Sequence, residues 1–341
     1  MRHILSISDM KPKKIGLGED SEPIFLNRDS FVAVGVLDGM GGAGGAECVS
    51  DFGDSHTKAY VASRIIKEAI EKALCQLTTL PDIPDFITFL ERVIVKRYEE
   101  ERLKYPPKPK GGLRSTLIKE YPTTLSMVIA SVDNDKYIID SIWAGDSRNY
   151  IWNMNGLFQI SVDDLKGGLD PLQNLYEDAP MSNCLQADAP IKLNHKRIEL
   201  SHRDKFIIFS ATDGCFGYYP SPMDFEKILF DCLRNANTLD EWNEKLSHAF
   251  EFVTADDFSY SFAAFGFKQF KELKKFLSRS QKGSLARYFQ KRYDFECKVR
   301  KRNKLDAEIA EIETHLESEI KELWPNYKQS YLKFMISDEK R

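Results

Sequence analysis

Four apolar runs in this chain border an aspartate. FVAVGVL (31–37) leads into Asp38, YIIDSIWAG (137–145) into Asp146 and FIIFSAT (206–212) into Asp213, while FSYSFAAFGF (258–267) follows Asp256 and Asp257. The runs are short, rich in β-branched and aromatic residues, and read as buried strands meeting loops. Taken singly, an Asp at a strand end is an ordinary turn former. If the four strands are neighbours, their ends gather carboxylates that cannot stay close at neutral pH without a compensating cation.

The rest of the pattern supplies layers for those strands. Ile65, Ile66, Ala69, Ile70, Ala73 and Leu77 recur at helical spacing and 86–98 repeats the pattern, predicting two long helices that pack together. A Pro-, Gly- and Lys-rich loop at 104–115 separates them from short runs at 125–132, 136–144, 149–153 and 157–160. Turn residues such as Asp133-Asn134-Asp135 and Asn155-Gly156 join those runs into an expected antiparallel meander. Residues 161–195 have weak periodicity and many Asp, Gly, Pro and Asn, which predicts a long surface excursion. Strands are expected again at 197–200 and 205–211, helices at about 222–234 and 239–253, and a last strand at 258–267.

A chain of 341 residues is long enough for one large domain plus an accessory segment. Cutting after Phe267 separates two unlike parts. Residues 268–341 hold 19 Lys and Arg against 12 Asp and Glu, a surplus of +7, which leaves −11 on 1–267. So acidic a body is not a nucleic-acid binder and is suited instead to gathering cations. In the tail, Leu305, Ile309, Ile312, Leu316, Ile320 and Leu323 recur at threes and fours, predicting an amphipathic helix with a heptad-like stripe that Pro325 ends. Packing of that helix on its own body and pairing with a partner are both open readings. The basic stretch 268–304 is either a solvated face or a docking surface for an acidic partner.

Six cysteines are scattered without C-x-x-C spacing and read as reduced, and the six histidines form no ligand pair. The N-terminus lacks a long apolar h-region and no apolar run approaches bilayer length, so the expectation is a cytoplasmic protein without a membrane partner. Asp38-Gly39-Met40-Gly41-Gly42 packs three glycines straight after a strand, suited to a tight turn that brings backbone carbonyls near an ion. Oxygen ligands without His or Cys point to Mg2+ or Mn2+ rather than Zn2+.

At this point the residues resemble a known family, the metal-dependent PPM or type 2C serine/threonine phosphatases. The resemblance covers about 14–267 and rests on motifs in family order: Gly18-Glu19-Asp20-Ser21, VGVLDGMGG (34–42), YPTTLSMVIA (121–130), AGDSR (144–148), SATDG (210–214) and ADDFS (255–259). DGMGG, with Met third, is more similar to bacterial members. The resemblance implies an α+β, four-layer α-β-β-α sandwich of two antiparallel sheets flanked by helices, with 161–195 as the variable flap; the basic, helical C-terminal extension 268–341 lies outside it. It implies that Asp38 bridges two metals, that the Gly39 carbonyl is a further ligand, and that Asp213 and Asp256 complete one metal's set. Glu19 would hold a metal-bound water, Asp146 with Asp213 would form a third, weaker site, and Asp20 and Asp257 would support the ligands from behind.

The implied chemistry is hydrolysis of phosphoserine or phosphothreonine in proteins by a hydroxide shared between two Mn2+ or Mg2+ ions, without a covalent enzyme intermediate. Cys215, beside Asp213, reads as a small apolar filler rather than a nucleophile. A phosphorylated protein is the implied substrate, and a kinase the natural counterpart. One departure stands out: where many family members carry a phosphate-gripping Arg four residues before the Glu, this chain has Ile15, with Lys13 and Lys14 just upstream. Lys14 is the candidate replacement, as a point charge without bidentate geometry. The competing function is a weakly active or inactive regulatory module that binds a phosphoprotein or partner through its C-terminal helices.

Overall fold

The computed structural model describes residues 4–49, 55–105, 118–167, 170–177, 179–278 and 283–334. The chain begins with β1 (Leu5–Lys11), β2 (Ile24–Asn27), β3 (Phe31–Val36), the single turn α1 (Gly41–Gly44) and a small hairpin of β4 (Glu47–Val49) and β5 (Ser55–Thr57). Two long helices, α2 (Lys58–Gln76) and α3 (Ile83–Lys104), precede β6 (Leu125–Asp133), β7 (Lys136–Ala144), β8 (Arg148–Asn153) and β9 (Gly156–Gln159). After an irregular excursion with one 3-10 turn at Gln173–Leu175 come β10 (Asn194–Ser201), β11 (Phe206–Ala211) and the short α4 (Asp213–Phe216). Then follow α5 (Pro222–Asn235), α6 (Leu239–Val253), β12 (Phe258–Phe265), α7 (Phe270–Leu277) and the long α8 (Gly283–Tyr331).

The strands form two five-stranded sheets, ordered β1-β12-β11-β8-β9 and β10-β7-β6-β3-β2, with antiparallel pairing throughout. Every residue of β3, β11 and β12 is buried, which explains their unbroken apolar sequences: both faces are covered. Successive side chains point to opposite faces, so Val32 and Val34 pack between the sheets while Phe31 and Ala33 pack with α2 and α3. The other outer face buries Phe209, Phe262, Trp152 and Trp242 with α5 and α6. The architecture is the expected four-layer sandwich, with helices outside two antiparallel sheets.

The strand path differs from the expected meander. β6 and β7 pair in one sheet, but β8 and β9 belong to the other. The chain crosses over at Gly145, whose φ of +108 suits glycine, and where an added Cβ would meet the Thr124 side chain at 2.7 Å. The crossover, not a hairpin, is what places Asp146 between the sheets' ends. β1 is a further difference: LSISDMK carries little of the usual strand composition, yet it pairs residue for residue with β12 from Leu5–Ala264 to Lys11–Phe258. Of the Pro- and Gly-rich stretch at 104–115, only Lys104 and Tyr105 lie within the described residues.

By contact density the chain divides into Met1–Lys282 and Gly283–Arg341. α7 belongs to the first unit because Phe270, Leu273 and Leu277 enter the same core as β12 and α6, so the body runs past the Phe267 cut suggested by charge. In the second unit, α8 continues through Pro325 instead of ending there. The missing proline N–H forgoes one bond to a carbonyl on a helix whose residues 300–331 are exposed, where water can satisfy it. The rings of Trp324, Tyr327 and Tyr331 line up along the turns that follow, with Tyr327 and Tyr331 centroids 5.6 Å apart. The apolar stripe is exposed, 57% at Leu305 and 65% at Ile320. Leu305, Leu316 and Tyr327, and likewise Ile309, Ile320 and Tyr331, recur every eleven residues, a period that follows a straight helix more closely than a heptad does.

Candidate metal centre

The four strand ends meet at one edge of the sandwich, and short hydroxyl-bearing side chains fix each of them. Asp38 follows β3; its carbonyl accepts from Thr124 N at 2.8 Å and Thr123 Oγ1 at 2.6 Å, and its N–H donates to Thr124 Oγ1 at 3.2 Å. The same Thr124 hydroxyl lies 2.7 Å from Ser147 Oγ, tying the Asp38 turn to the Asp146 crossover. Asp164 holds that crossover from the other side, its carboxylate accepting from Gly145 N at 3.0 Å. Asp213 opens α4 just after Thr212, whose hydroxyl donates to Asp20 at 2.9 Å and accepts from Ser259 N at 2.9 Å. Asp257 clamps the N-terminal loop, accepting from Lys13 N at 2.6 Å and Glu19 N at 2.5 Å.

The glycines allow close approach. A Cβ on Gly39 would lie 2.6 Å from both Ala59 O and Glu19 O, and one on Gly41 would lie 1.7 Å from Glu19 Oε2. Gly214 is equally constrained, since its Cβ would fall 1.8 Å from Asp257 O. The Gly-rich turn after Asp38 therefore lets the Glu19 segment and the start of α2 press against it.

Glu19, Asp38, Asp146, Asp213, Asp256 and Asp257 line one open cleft of about 470 Å³ together with Gly39, Met40, Gly41, Gly42, Thr124 and Met181. Among the described residues, no Lys, Arg or His lines it. Burial, followed by the neighbouring carboxylates, raises the carboxyl groups above their ordinary range: Asp38 and Asp20 well above it, and Asp146 up to about 7. Asp213, Asp256 and Glu19 are raised as well, again first by burial. Asp38 is within side-chain hydrogen-bonding reach of both Asp20 and Asp213. Among the described residues, no three His, Cys, Asp or Glu side chains already form a tight cage for an ion. The gathering of charge is seen in the pair contacts and the shared cleft, with Asp38 at the centre.

Asp38, Gly39, Asp146, Asp213, Asp256 and Glu19 are thus brought to one cleft. Asp257 lines its rim while bonding the loop behind it, and Asp20 is buried against Asp38. Lys14 is exposed and is not among the cleft-lining residues, and Ile15 is 97% exposed. The basic group that contacts the Glu19 segment is one the sequence reading missed, Arg64 on α2. Its guanidinium donates to Gly18 O at 3.0 Å and Tyr60 O at 3.0 Å and lies 3.4 Å from the Tyr60 ring centroid. The position is one helical turn beyond Tyr60, and nothing in the local sequence marks it. Cys215 is fully buried, with its Sγ 3.4 Å from Ser259 O, and burial pushes its thiol well up, as an inert filler requires.

The flap-like excursion is anchored by a buried ion pair, Arg148–Asp163 at 2.6 Å, with Asn174 donating to the same carboxylate at 2.9 Å. Leu165–Met181 and Thr123–Leu185 bridges hold its two ends beside the cleft.

No family model matches this sequence, and no curated protein matches it. Solved structures do. The chain is similar to the serine/threonine phosphatase Stp1 from Staphylococcus aureus (TM-score 0.54, 16% identity, 78% of this chain and 96% of that one). It is also similar to the Mycobacterium tuberculosis serine/threonine phosphatase PstP/Ppp (TM-score 0.51, 14% identity, 78% and 100%). A third likeness is to PppA, a key regulatory component of the type VI secretion system in Pseudomonas aeruginosa (TM-score 0.50, 17% identity, 78% and 98%). The catalytic domain of PstP, at 13% identity and TM-score 0.51, is known in complex with two manganese ions. At these identities the likeness establishes a shared fold.

Proposed function

We propose that this chain is a metal-dependent phosphatase acting on phosphoserine or phosphothreonine in proteins. The observation that carries the reading is the cleft itself, in which six carboxylates face one another without a basic side chain among the lining residues. Such a set is costly unless cations fill it. Hard oxygen donors suit Mn2+ or Mg2+, and the PstP catalytic domain is described with two manganese ions.

In this reading Asp38, central to the cluster, the Gly39 carbonyl, Asp213 and Asp256 would hold the ions. Glu19, whose carboxylate accepts from the Thr57 hydroxyl, would orient a water molecule held there. Asp146 with Asp213 offers the weaker third position. Bound there, divalent ions would supply Lewis acidity and acidify the attacking water. The chain's own contribution is placement. Thr123, Thr124, Thr212 and Ser147 lock the turns that carry the acids, and Asp257 fixes the loop that carries Glu19. The lining offers no guanidinium for the substrate phosphate, so the ions would meet most of its charge.

The test is hydrolysis of para-nitrophenyl phosphate and a phosphothreonine peptide with Mn2+. Wild type should turn over both, and Asp38→Ala and Asp213→Ala should each lose at least about a hundredfold, the scale on which even outer supports of metal sites act. Exposed Ile15 in place of the phosphate Arg favours a second reading, a low-turnover regulatory module. Metal-loaded, folded but inactive wild type would select it.

A further inference from the structure

The acidic cleft has neighbouring cavities on its Asp146 and Asp213 side. A second cavity, of about 220 Å³, shares Asp146 and Asp213 with it. A third, of about 360 Å³, shares Arg148, Leu175 and Phe216 with the second. The three cavities adjoin one another through these shared lining residues, in a row from the carboxylates to the space between the flap's 3-10 turn and α5.

The far cavity differs in kind from the cleft. Its floor is Tyr150, Phe216 and Phe225, all buried, and its sides include Leu157, Leu172 and Met223. The polar groups at its rim are already engaged within the protein. Arg148 is paired with Asp163 and lies 4.2 Å from the Phe216 ring centroid; Glu226 accepts from Leu157 N, and Asp170 accepts from Leu172 N. Among the described residues the cavity thus has no spare cation for an anionic group, while Leu172 stands 40% exposed beside it. An apolar occupant is the chemistry it fits, and its volume is in the range that encloses one.

Its distance from the reacting centre is set by α4. Asp213 opens that single turn and Phe216 closes it, so the cavity floor begins about 5 Å along the helix from the acidic cleft. An extended peptide advances about 3.3 Å per residue, which places the occupant a few residues from the phosphorylated one.

We propose, resting on the phosphatase reading, that this cavity seats a large apolar side chain of the substrate protein located two to five residues from the phosphoserine or phosphothreonine. Substrate choice then combines a phosphate at the acidic cleft with an apolar anchor under the flap. Burying a leucine there is worth about tenfold or more in kcat/KM over alanine.

The experiment uses full-length protein with Mn2+ and alanine-based phosphothreonine peptides carrying one leucine at each position within five residues of the phosphothreonine. At one or two adjacent positions leucine should raise kcat/KM about tenfold, and Leu172→Asp, an exposed site that the fold tolerates, should bring that leucine-to-alanine ratio close to one. Hydrolysis of para-nitrophenyl phosphate by wild type separates the two claims. If the ester is cleaved and no leucine position changes kcat/KM, the anchor is wrong and the phosphatase reading stands; if the ester is not cleaved, the reading beneath it fails. A leucine preference that survives both Leu172→Asp and Met223→Asp would also overturn the assignment. So would a Leu172→Asp variant that alters only self-association, which would give the cavity to a second copy of the chain.

Discussion

The acidic cleft and the long helix α8 both carry many carboxylates, and they dispose of them in opposite ways. Along α8 several acids meet a base one turn away, Arg302–Asp306 at 3.8 Å and Lys304–Glu308 at 3.9 Å, both well exposed. In the cleft no base lines the wall among the described residues, the acids sit against each other, and burial drives their carboxyl groups upward. Exposed, paired acids cost almost nothing and add little. Gathered, unpaired acids are expensive, and a fold keeps them for something that repays the cost. The contrast teaches that acidic composition alone says little, and that what separates a site from a surface is the absence of a partner.

The largest expected effect comes from turning a paired buried acid into an unpaired one. Arg148→Met leaves Asp163, 6% exposed, without its guanidinium, and should cost about 3–5 kcal/mol in a urea melt. A loss under 1 kcal/mol would mean that Asp163 is solvated after all, and the line between the two regions would blur.

Next in size is the pH dependence of the cleft. Carboxyl groups raised in the folded state bind more protons there than when unfolded, so their contribution to stability is present below their unfolded value near 4 and is lost as pH rises through the folded values. Asp146, at about 7, lies inside that window, and Asp38 and Asp20, raised well above the ordinary range, extend it further upward. Metal-free protein should therefore melt at lower temperature at pH 8 than at pH 5.5, and Mn2+ should raise the melting temperature more at pH 8. An equal Mn2+ effect at both values would show that no protons leave the cleft when metal enters.

The smallest effect belongs to α8. Removing a charge there by Glu308→Gln should change stability by no more than about 0.5 kcal/mol and leave the Mn2+ effect untouched. A larger change would mean that the acids of the helix are also under electrostatic tension.

Much of the cleft was legible in the chain, because its signals are local. An apolar run, an Asp and a cluster of glycines are neighbours in sequence, and the runs of β3, β11 and β12 are buried on both faces as their composition requires. What was hidden depends on distance. β1 pairs with β12 although Leu5 and Ala264 lie at opposite ends of the body, and the pairing, not the composition of LSISDMK, makes it a strand. The crossover at Gly145 looks like any short turn in sequence, since nothing local says that β8 will join the other sheet. The Thr124 and Thr212 hydroxyls lay inside motifs that were noticed, but their partners Ser147 and Asp20 are remote. Arg64 is a helix residue whose contact with the Glu19 segment exists only once α2 packs there. Pro325 shows the converse, a strong local signal overruled where the backbone is exposed.

The central claim is that Asp38, Asp213 and Asp256 hold divalent ions. Isothermal titration of Mn2+ into metal-free protein at pH 8 addresses it directly, with Asp38→Asn alongside. The account predicts two ions bound per wild-type chain with release of protons, and loss of the tighter event in the variant. No manganese uptake by folded wild type, or the same isotherm for both proteins, would contradict it.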